Sequence, residues 1–205
     1  KLLNAFDIST PLTSCHEHNE RSKAVQIAER MLAENIDVAV TTDAGTPCIS
    51  DPGSVLVREA TERGIPAVAV SGPTAMASAL SVSGMDISEF TFYGFLPRQK
   101  NELREKLTDM ARHSKIAVVH ESPHRVIELL QQVQAVLPHT DVSASCDLTK
   151  KFEQTLRGPV EQVLRLLEEN PKADKGEYCL CLRWAEEDIP APEAVREDIS
   201  LEARL

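Results

Sequence analysis

The stretch KIAVVHESPHRVIELLQQVQAVL, residues 115 to 137, decides the fold class. Its opening, KIAVVHE, is a short β-branched run and reads as a strand. The rest, SPHRVIELLQQVQAVL, reads as a helix. Pro123 marks the junction: proline disfavours helix at the residue before it and is tolerated at the first helical position. That predicts Ser122 as N-cap and Pro123 as the first helical residue. The same stretch spells H-E-x-x-H from His120 to His124, the pattern of a zinc peptidase. Such a site needs both imidazoles one turn apart on one helix. Here His120 and Glu121 end a strand while His124 is expected inside the next helix, so the imidazoles do not converge and no metal is predicted.

Outward from this junction the chain alternates in the same way. NERSKAVQIAERMLAEN places Ala24, Ile27, Ala28, Met31 and Leu32 on one helical face, with Asn19 as N-cap. IDVAVTT reads as a buried strand, SVLVREATERG as a helix ended by Gly64, and PAVAV as a second buried strand. The turn SGPT leads to an alanine-rich helix, TAMASALSVSG. FTFYG is then a strand, GFLPRQK a loop and NELREKLTDMARH a helix. DVSASCDL and EQTLRG read as strands, PVEQVLRLLEEN as a helix and EYCLCLRW as a closing strand. Alternation of this kind predicts an α/β protein with covered sheets. The expected division is an N-terminal lobe at 1–71, a C-terminal lobe at 72–184 and an acidic tail at 185–205, in which VREDISLEARL could form a short helix.

Composition narrows the function classes. The 205 residues carry a formal net charge of −10, which argues against a strongly basic nucleic-acid binder. Half of that excess sits in the last 21 residues, with seven acidic and two basic side chains, so a local RNA-facing basic patch remains open. No apolar run approaches the roughly 20 residues of a membrane span, and the opening KLLNAFDIST has no signal-peptide core. The five cysteines are scattered and suggest no disulfide framework; Cys179 and Cys181 alternate on a strand as small apolar residues. A reducing cytoplasm is the expected compartment.

In α/β sheets, ligands bind beyond the carboxyl ends of strands. His120 and Glu121 sit at such an end, and so does TTDAGTPCISDPG, residues 41 to 53. Glycine there permits close backbone approach to a ligand and proline stiffens the loop. A tight crossover with Asp51 or Ser54 capping the next helix accounts for the same residues. The loop is neither a P-loop nor a G-x-G-x-x-G fingerprint, so spacing does not name the ligand.

Six blocks in order narrow it: TTDAGTPCISDPG, SGPTAMASALSVSG, FYGFLPRQK, VVHESPHRV, DLTKKFEQTLRG and KGEYCL. Together, from about Leu12 to Trp184, they resemble the branch of the tetrapyrrole methylase superfamily that methylates the 2′-oxygen of a cytidine ribose in bacterial small-subunit ribosomal RNA. The resemblance implies a two-lobed fold, each lobe a mixed sheet flanked by helices, that clasps S-adenosylmethionine, and a homodimer acting on small-subunit (16S) RNA or the 30S particle. It further implies that Asp43, Gly45, Thr46, Ile49 and Asp51 line the cofactor site from the first lobe, with Pro73, Thr74 and Ala75 at the interlobe turn. From the second lobe it implies Glu121, Ser122, Thr149 and the Lys175-Gly176-Glu177 turn.

Two features of that family are missing. A G-N-L-x-D-I-type strand and loop and an E-D-T-R segment precede the part matched by Lys1, so the chain is expected to be a fragment. The family's R-E-L-T-K stands here as Cys146-Asp147-Leu148-Thr149-Lys150, without the arginine.

Methyl transfer from a sulfonium needs alignment and exclusion of water more than activation of the donor. A ribose hydroxyl is a poor nucleophile, so a base or an alkoxide-stabilising cation helps. Glu121 is the first candidate base and Asp147 the second; Arg125 or Lys150 would supply positive charge. Each also has a structural reading, Glu121 as a cap or as the partner of Arg125. For RNA, Phe95, Arg98, Lys100, Arg104 and Lys106 follow a strand end, and HEHN at 16–19 follows another. Two other functions stay open. One is a tetrapyrrole methyltransferase, although A-G-T-P replaces the G-G-D-P expected there; the other is a non-catalytic cofactor-binding fragment.

Overall fold

The computed structural model describes residues 2–16 and 18–189. The short helix expected in VREDISLEARL lies outside the described residues. The chain forms two compact units, Lys1–Thr74 and Ala75–Leu205.

The second unit holds a five-stranded mixed sheet: β1 (Thr91–Phe95), β2 (Ile116–Glu121), β3 (Asp141–Cys146), β4 (Gln154–Pro159) and β5 (Tyr178–Arg183). Their order is β1-β2-β5-β3-β4, with β1 parallel to β2 and the other pairs antiparallel. The carboxyl ends of β1, β2 and β3 therefore share one edge of the sheet with the amino ends of β4 and β5.

Helices α5 (Lys100–His113), α6 (Val126–Val136) and α7 (Val160–Glu168) cover one face. Leu107 and Met110 of α5, Leu129 and Leu130 of α6, and Val163 and Leu167 of α7 pack there on Val119, Ala144, Leu180 and Leu182. The other face receives the short α4 (Ala75–Ser81), through Ala79 and Leu80 on Ile116, Val118, Cys179 and Cys181. The two cysteines thus lie on one face in an apolar layer, and burial pushes both thiols up to about 12.

Every element expected in this unit forms, with boundaries that move by a few residues, and the shift that bears on the candidate site is at the start of α6. Helix α6 starts at Val126, and the backbone carbonyl of Ser122 accepts from the N–H groups of both Arg125 and Val126. Residues 122–125 therefore make a turn before the helix. His124 lies in that turn rather than inside the helix, and the Ser122 side chain makes no cap. The Ser122 carbonyl closes this turn, and the regular helical ladder begins only with the Leu129 N–H on the Arg125 carbonyl at 2.8 Å.

The first unit contains α1 (Leu2–Ala5), α2 (Glu20–Glu34) and α3 (Ser54–Glu62). Ala24 and Ala28 of α2 and Leu56 and Ala60 of α3 are buried, and the small alanines let the two helices approach closely. The expected mixed sheet is absent among the described residues of this unit. IDVAVTT and PAVAV form no strands, and Val68 and Val70 are 84% and 91% exposed instead of buried. A β-branched run becomes a strand only where a neighbour satisfies its backbone groups, and no strand stands beside them among these residues.

The caps differ as well. Asn19 occupies the N-cap of α2, yet its side-chain oxygen accepts from the N–H of His16. Neither Asp51 nor Ser54 caps α3. Glu20 of α2 reaches across instead, and its Oε1 accepts from the N–H groups of Gly53 (2.6 Å) and Val55 (3.2 Å). A carboxylate there satisfies two orphan donors and meets the positive end of the helix dipole.

Candidate functional site

The expected site residues of the second unit collect on the loops at one edge of the sheet. Glu121 ends β2, faces Tyr178 at the start of β5, and Tyr178 in turn faces Cys146 at the end of β3. Asp147, Thr149 and Lys150 follow Cys146, and Gly176 precedes Tyr178.

Glu121 is 2% exposed. Its Oε1 accepts from the Ser122 N–H at 2.7 Å and lies 3.5 Å from Nη1 of Arg125, while Oε2 is buried without a hydrogen-bond partner. Burial raises its pKa above the ordinary carboxylate value, against the pull of the Ser122 N–H, Arg125 and Arg98. Arg125 also donates from Nη2 to the carbonyl of Pro97 at 3.0 Å. It therefore ties the loop after β1 to the end of β2, and its charge already has two partners.

The loop after β3 is strained and cross-braced. Asp147 and Thr149 take left-handed backbone, with φ of 52° and 67°, uncommon for residues with a side chain. The Asp147 N–H donates to the Glu177 carbonyl at 3.0 Å and the Thr149 N–H to Glu153 Oε2 at 2.6 Å. Lys150 Nζ donates to Glu177 Oε2 at 2.6 Å and Asp147 Oδ1 at 3.2 Å. Glu177 first, then Asp147, hold the ammonium above its ordinary pKa. Gly176 has φ +86°, and a Cβ there would stand 2.7 Å from Asp147 Oδ2 and 2.8 Å from Cys146 Sγ. Only glycine lets the two loops come this close.

In the first unit the loop over residues 43–53 makes an irregular turn. Gly45, Cys48, Ser50 and Gly53 all have positive φ. A Cβ on Gly53 would meet Cys48 Sγ at 2.7 Å, so the loop folds onto its own glycine. Asp43, Gly45, Ile49 and Asp51 are exposed and Thr46 is half-buried. Thr46 Oγ1 donates to the Pro73 carbonyl at 3.4 Å, joining this loop to the SGPT turn. Thr74 is half-buried and Pro73 exposed; Ala75, the exposed first residue of α4, belongs to the second unit.

The glycines, the hydroxyl of Thr46 and the exposed carboxylates of Asp43 and Asp51 suit a polar small molecule with amino and hydroxyl groups. S-adenosylmethionine, with its amino, sulfonium and ribose hydroxyls, fits such a donor and acceptor set.

The match to the family model Tetrapyrrole (Corrin/Porphyrin) Methylases runs over residues 2–164. The chain belongs to the tetrapyrrole methylase family. Within that family it is 37% identical to Ribosomal RNA small subunit methyltransferase I of Halalkalibacterium halodurans, over 98% of this chain and 68% of the relative. It is 38% identical to the protein of the same name in Vibrio cholerae, over 88% of this chain and 62% of the relative. The chain thus spans about two thirds of the length of these relatives or slightly less.

Solved structures share the fold at low identity. Diphthine synthase matches with TM-score 0.63 at 11% identity, over 87% of this chain and 71% of that one. Uroporphyrin-III C-methyltransferase of Thermus thermophilus, complexed with S-adenosylhomocysteine, matches with TM-score 0.52 at 15% identity, over 80% and 73%.

Set against the sequence reading, this tetrapyrrole methylase-family chain brings Glu121 together with Ser122 and Arg125, Asp147 with Lys150 and Gly176, and Thr46 with Pro73. Arg104 and Lys106, expected to face RNA, are engaged on their own lobe: Arg104 Nε donates to Gln132 Oε1 at 2.8 Å, and Lys106 Nζ pairs with Asp109 at 2.9 Å and lies over the Tyr93 ring. Arg98 and Lys100 are exposed. Of HEHN, His16 and His18 form an edge-on ring pair 6.1 Å apart, and Glu17 lies outside the described residues. Two side chains escaped the sequence reading. Glu20 has no local signal because its partners are more than thirty residues away. Glu153, four residues past Thr149, follows a spacing that could have been read as a turn brace.

Proposed function

We propose that this protein is an S-adenosylmethionine-dependent methyltransferase that acts on small-subunit ribosomal RNA, at the 2′-oxygen of a cytidine ribose. The observation that carries the reading is identity of 37–38% to relatives named for small-subunit ribosomal RNA methylation, across 88–98% of this chain. The cofactor is supported by the family and by the S-adenosylhomocysteine complex of the fold relative. S-adenosylmethionine supplies an already activated methyl group. The loop at 43–53 with Pro73 and Thr74 is the candidate cofactor surface of the first unit. Ser122, Thr149, Gly176 and Ala75 are the candidates of the second.

On this reading the protein holds the ribose hydroxyl in line with the donor and lowers the cost of removing its proton. Glu121 is the base candidate whose raised pKa and open Oε2 suit a hydrogen bond to a hydroxyl once the strand end rearranges to admit one. Asp147 is the alternative. Lys150, neutralised by Asp147 and Glu177, holds the loop in shape and stabilises an alkoxide only if one of those carboxylates lets go. Arg125 sets the position of the loop after β1.

A homodimer in the cytoplasm completes the proposal. No helix among the described residues is long and apolar enough to cross a membrane.

The test is methyl transfer from labelled S-adenosylmethionine by the full-length protein to purified small subunits and to a porphyrinogen. Label at one cytidine ribose of the small-subunit RNA is the expected result, with Glu121→Gln reducing turnover by about 100-fold or more. Incorporation into the porphyrinogen alone overturns the reading.

A further inference from the structure

Two aromatic rings of the second unit stand out in solvent at the same edge of the sheet as Glu121 and Asp147. Phe95, the last residue of β1, is 60% exposed, and Phe152, on the loop after β3, is 71% exposed. Burying a phenylalanine is worth about 1.5–3 kcal/mol, so two of them left out at one edge forgo stabilisation that the fold could have used.

The direction of Phe95 is built in. The register between β1 and β2 shifts between Phe92 and Gly94, and Gly94 has φ +64°. Without that bulge, Phe95 would point to the opposite face from Phe92, because side chains alternate along a strand. With it, both rings meet His120, at 5.0 Å for Phe92 and 5.7 Å for Phe95, each edge-on. Bulges of this kind re-aim a side chain beside a site. Edge-on packing against His120 fixes the Phe95 ring while leaving it accessible.

The Phe152 ring has cations for neighbours, and cations follow Phe95 in the chain. Lys151 and Lys172 place their ammonium groups 5.6 and 5.7 Å from the Phe152 ring centre. Arg98 and Lys100 follow Phe95 and are exposed. Leu96, next to Phe95, is buried, and Phe152 is flanked in sequence by Lys151 and Glu153. Isolated exposed aromatics interleaved with lysine and arginine are the pattern that holds unpaired nucleotides, by stacking on bases and tracking phosphates. Phe95 ends β1, while Phe152 lies on the loop between β3 and β4, at least three strands away in the sheet order, which suits two different nucleotides of one strand better than one.

We propose that Phe95 and Phe152 are stacking ledges for two unpaired bases of the RNA substrate, with Arg98, Lys100, Lys151 and Lys172 on its phosphates. Phe95, nearer Glu121, positions the nucleotide to be methylated, and Phe152 a flanking one. This rests on the RNA reading above and gives that reading a specific surface on an otherwise acidic chain.

The test uses the full-length protein with Phe95→Ala, Phe152→Ala and the corresponding tyrosine variants. On small subunits, each alanine variant is expected to raise KM roughly tenfold to a hundredfold, with kcat within about twofold of the parent for Phe152→Ala and lowered as well for Phe95→Ala, and with tyrosine restoring the parent values. Affinity for S-adenosylmethionine by calorimetry and the thermal midpoint should stay at the parent values. In parallel, an unstructured RNA oligonucleotide carrying 2-aminopurine should lose fluorescence on binding the parent protein, lose less on binding either alanine variant, and lose none on binding the variant with both substitutions. An unchanged KM, an effect on cofactor affinity instead, or a KM rise that tracks a lowered midpoint and is not rescued by tyrosine overturns the proposal. If the parent quenches 2-aminopurine but methylates no small subunit, the substrate assignment fails while the stacking ledges stand.

Discussion

Gly176 lets the two loops of the candidate site pack against one another. It takes left-handed backbone, and its missing Cβ leaves the space occupied by Asp147 Oδ2 and Cys146 Sγ. Both conditions exclude a side chain, the first by conformation and the second by overlap. Gly176→Ala is expected to cost about 1–3 kcal/mol in a denaturant titration, and to release Lys150 from Glu177 and Asp147, visible as a shift of the Lys150 ammonium resonance. Asp147 and Thr149 sit in the same conformational region without being glycine. Their strain is held by the braces from Glu177 and Glu153. At Glu121 the surroundings, more than the residue type, set the chemistry, because a carboxyl 2% exposed beside an arginine behaves unlike one on a surface.

Among elements, α3 depends most on something outside itself. Its N-terminal donors at Gly53 and Val55 are met by Glu20 from α2, not by the serine and aspartate next to them. Glu20→Ala is expected to destabilise the protein by about 1 kcal/mol, within the range for a lost cap, with the loss in helicity and amide protection confined to residues near 53–56 in hydrogen exchange. Strand β5 shows the opposite dependence. It lies between β2 and β3, every residue from Tyr178 to Leu182 is buried, and it matches the reading of EYCLCLRW as a closing strand. IDVAVTT and PAVAV have similar apolar content but no neighbour among the described residues, so the same composition stays exposed. Strand formation is a property of the pair, which no single segment encodes.

At the scale of the whole molecule, pH links the site to stability. The pKa of Glu121 is raised in the folded protein, so folding favours its protonated form. Its contribution is fully present below the ordinary value of 4.5 and is lost as pH rises through the raised folded value. Replacing it with glutamine removes that loss while keeping an acceptor for the Ser122 N–H. Glu121→Gln is therefore expected to be more stable than the parent at neutral pH and no more stable at pH 4; equal gains at both would contradict the burial effect. The α/β class, the five strands and four helices of the second unit, and the family were legible in the sequence, because hydrophobic period, proline and glycine positions act locally and the six blocks are specific in combination. The edge of the sheet to which the site residues come was legible as strand ends. Their partners were not: that Arg125 holds Pro97, that Glu177 and Asp147 share Lys150, and that a bulge at Gly94 turns Phe95 toward His120 follow from strand order and register. All but the Lys150–Asp147 pair are contacts between residues distant in the chain. The sequence by itself determined which segments can be helix or strand, and tertiary structure alone decided which of them pair, what each carboxylate meets and which aromatic rings stay in water.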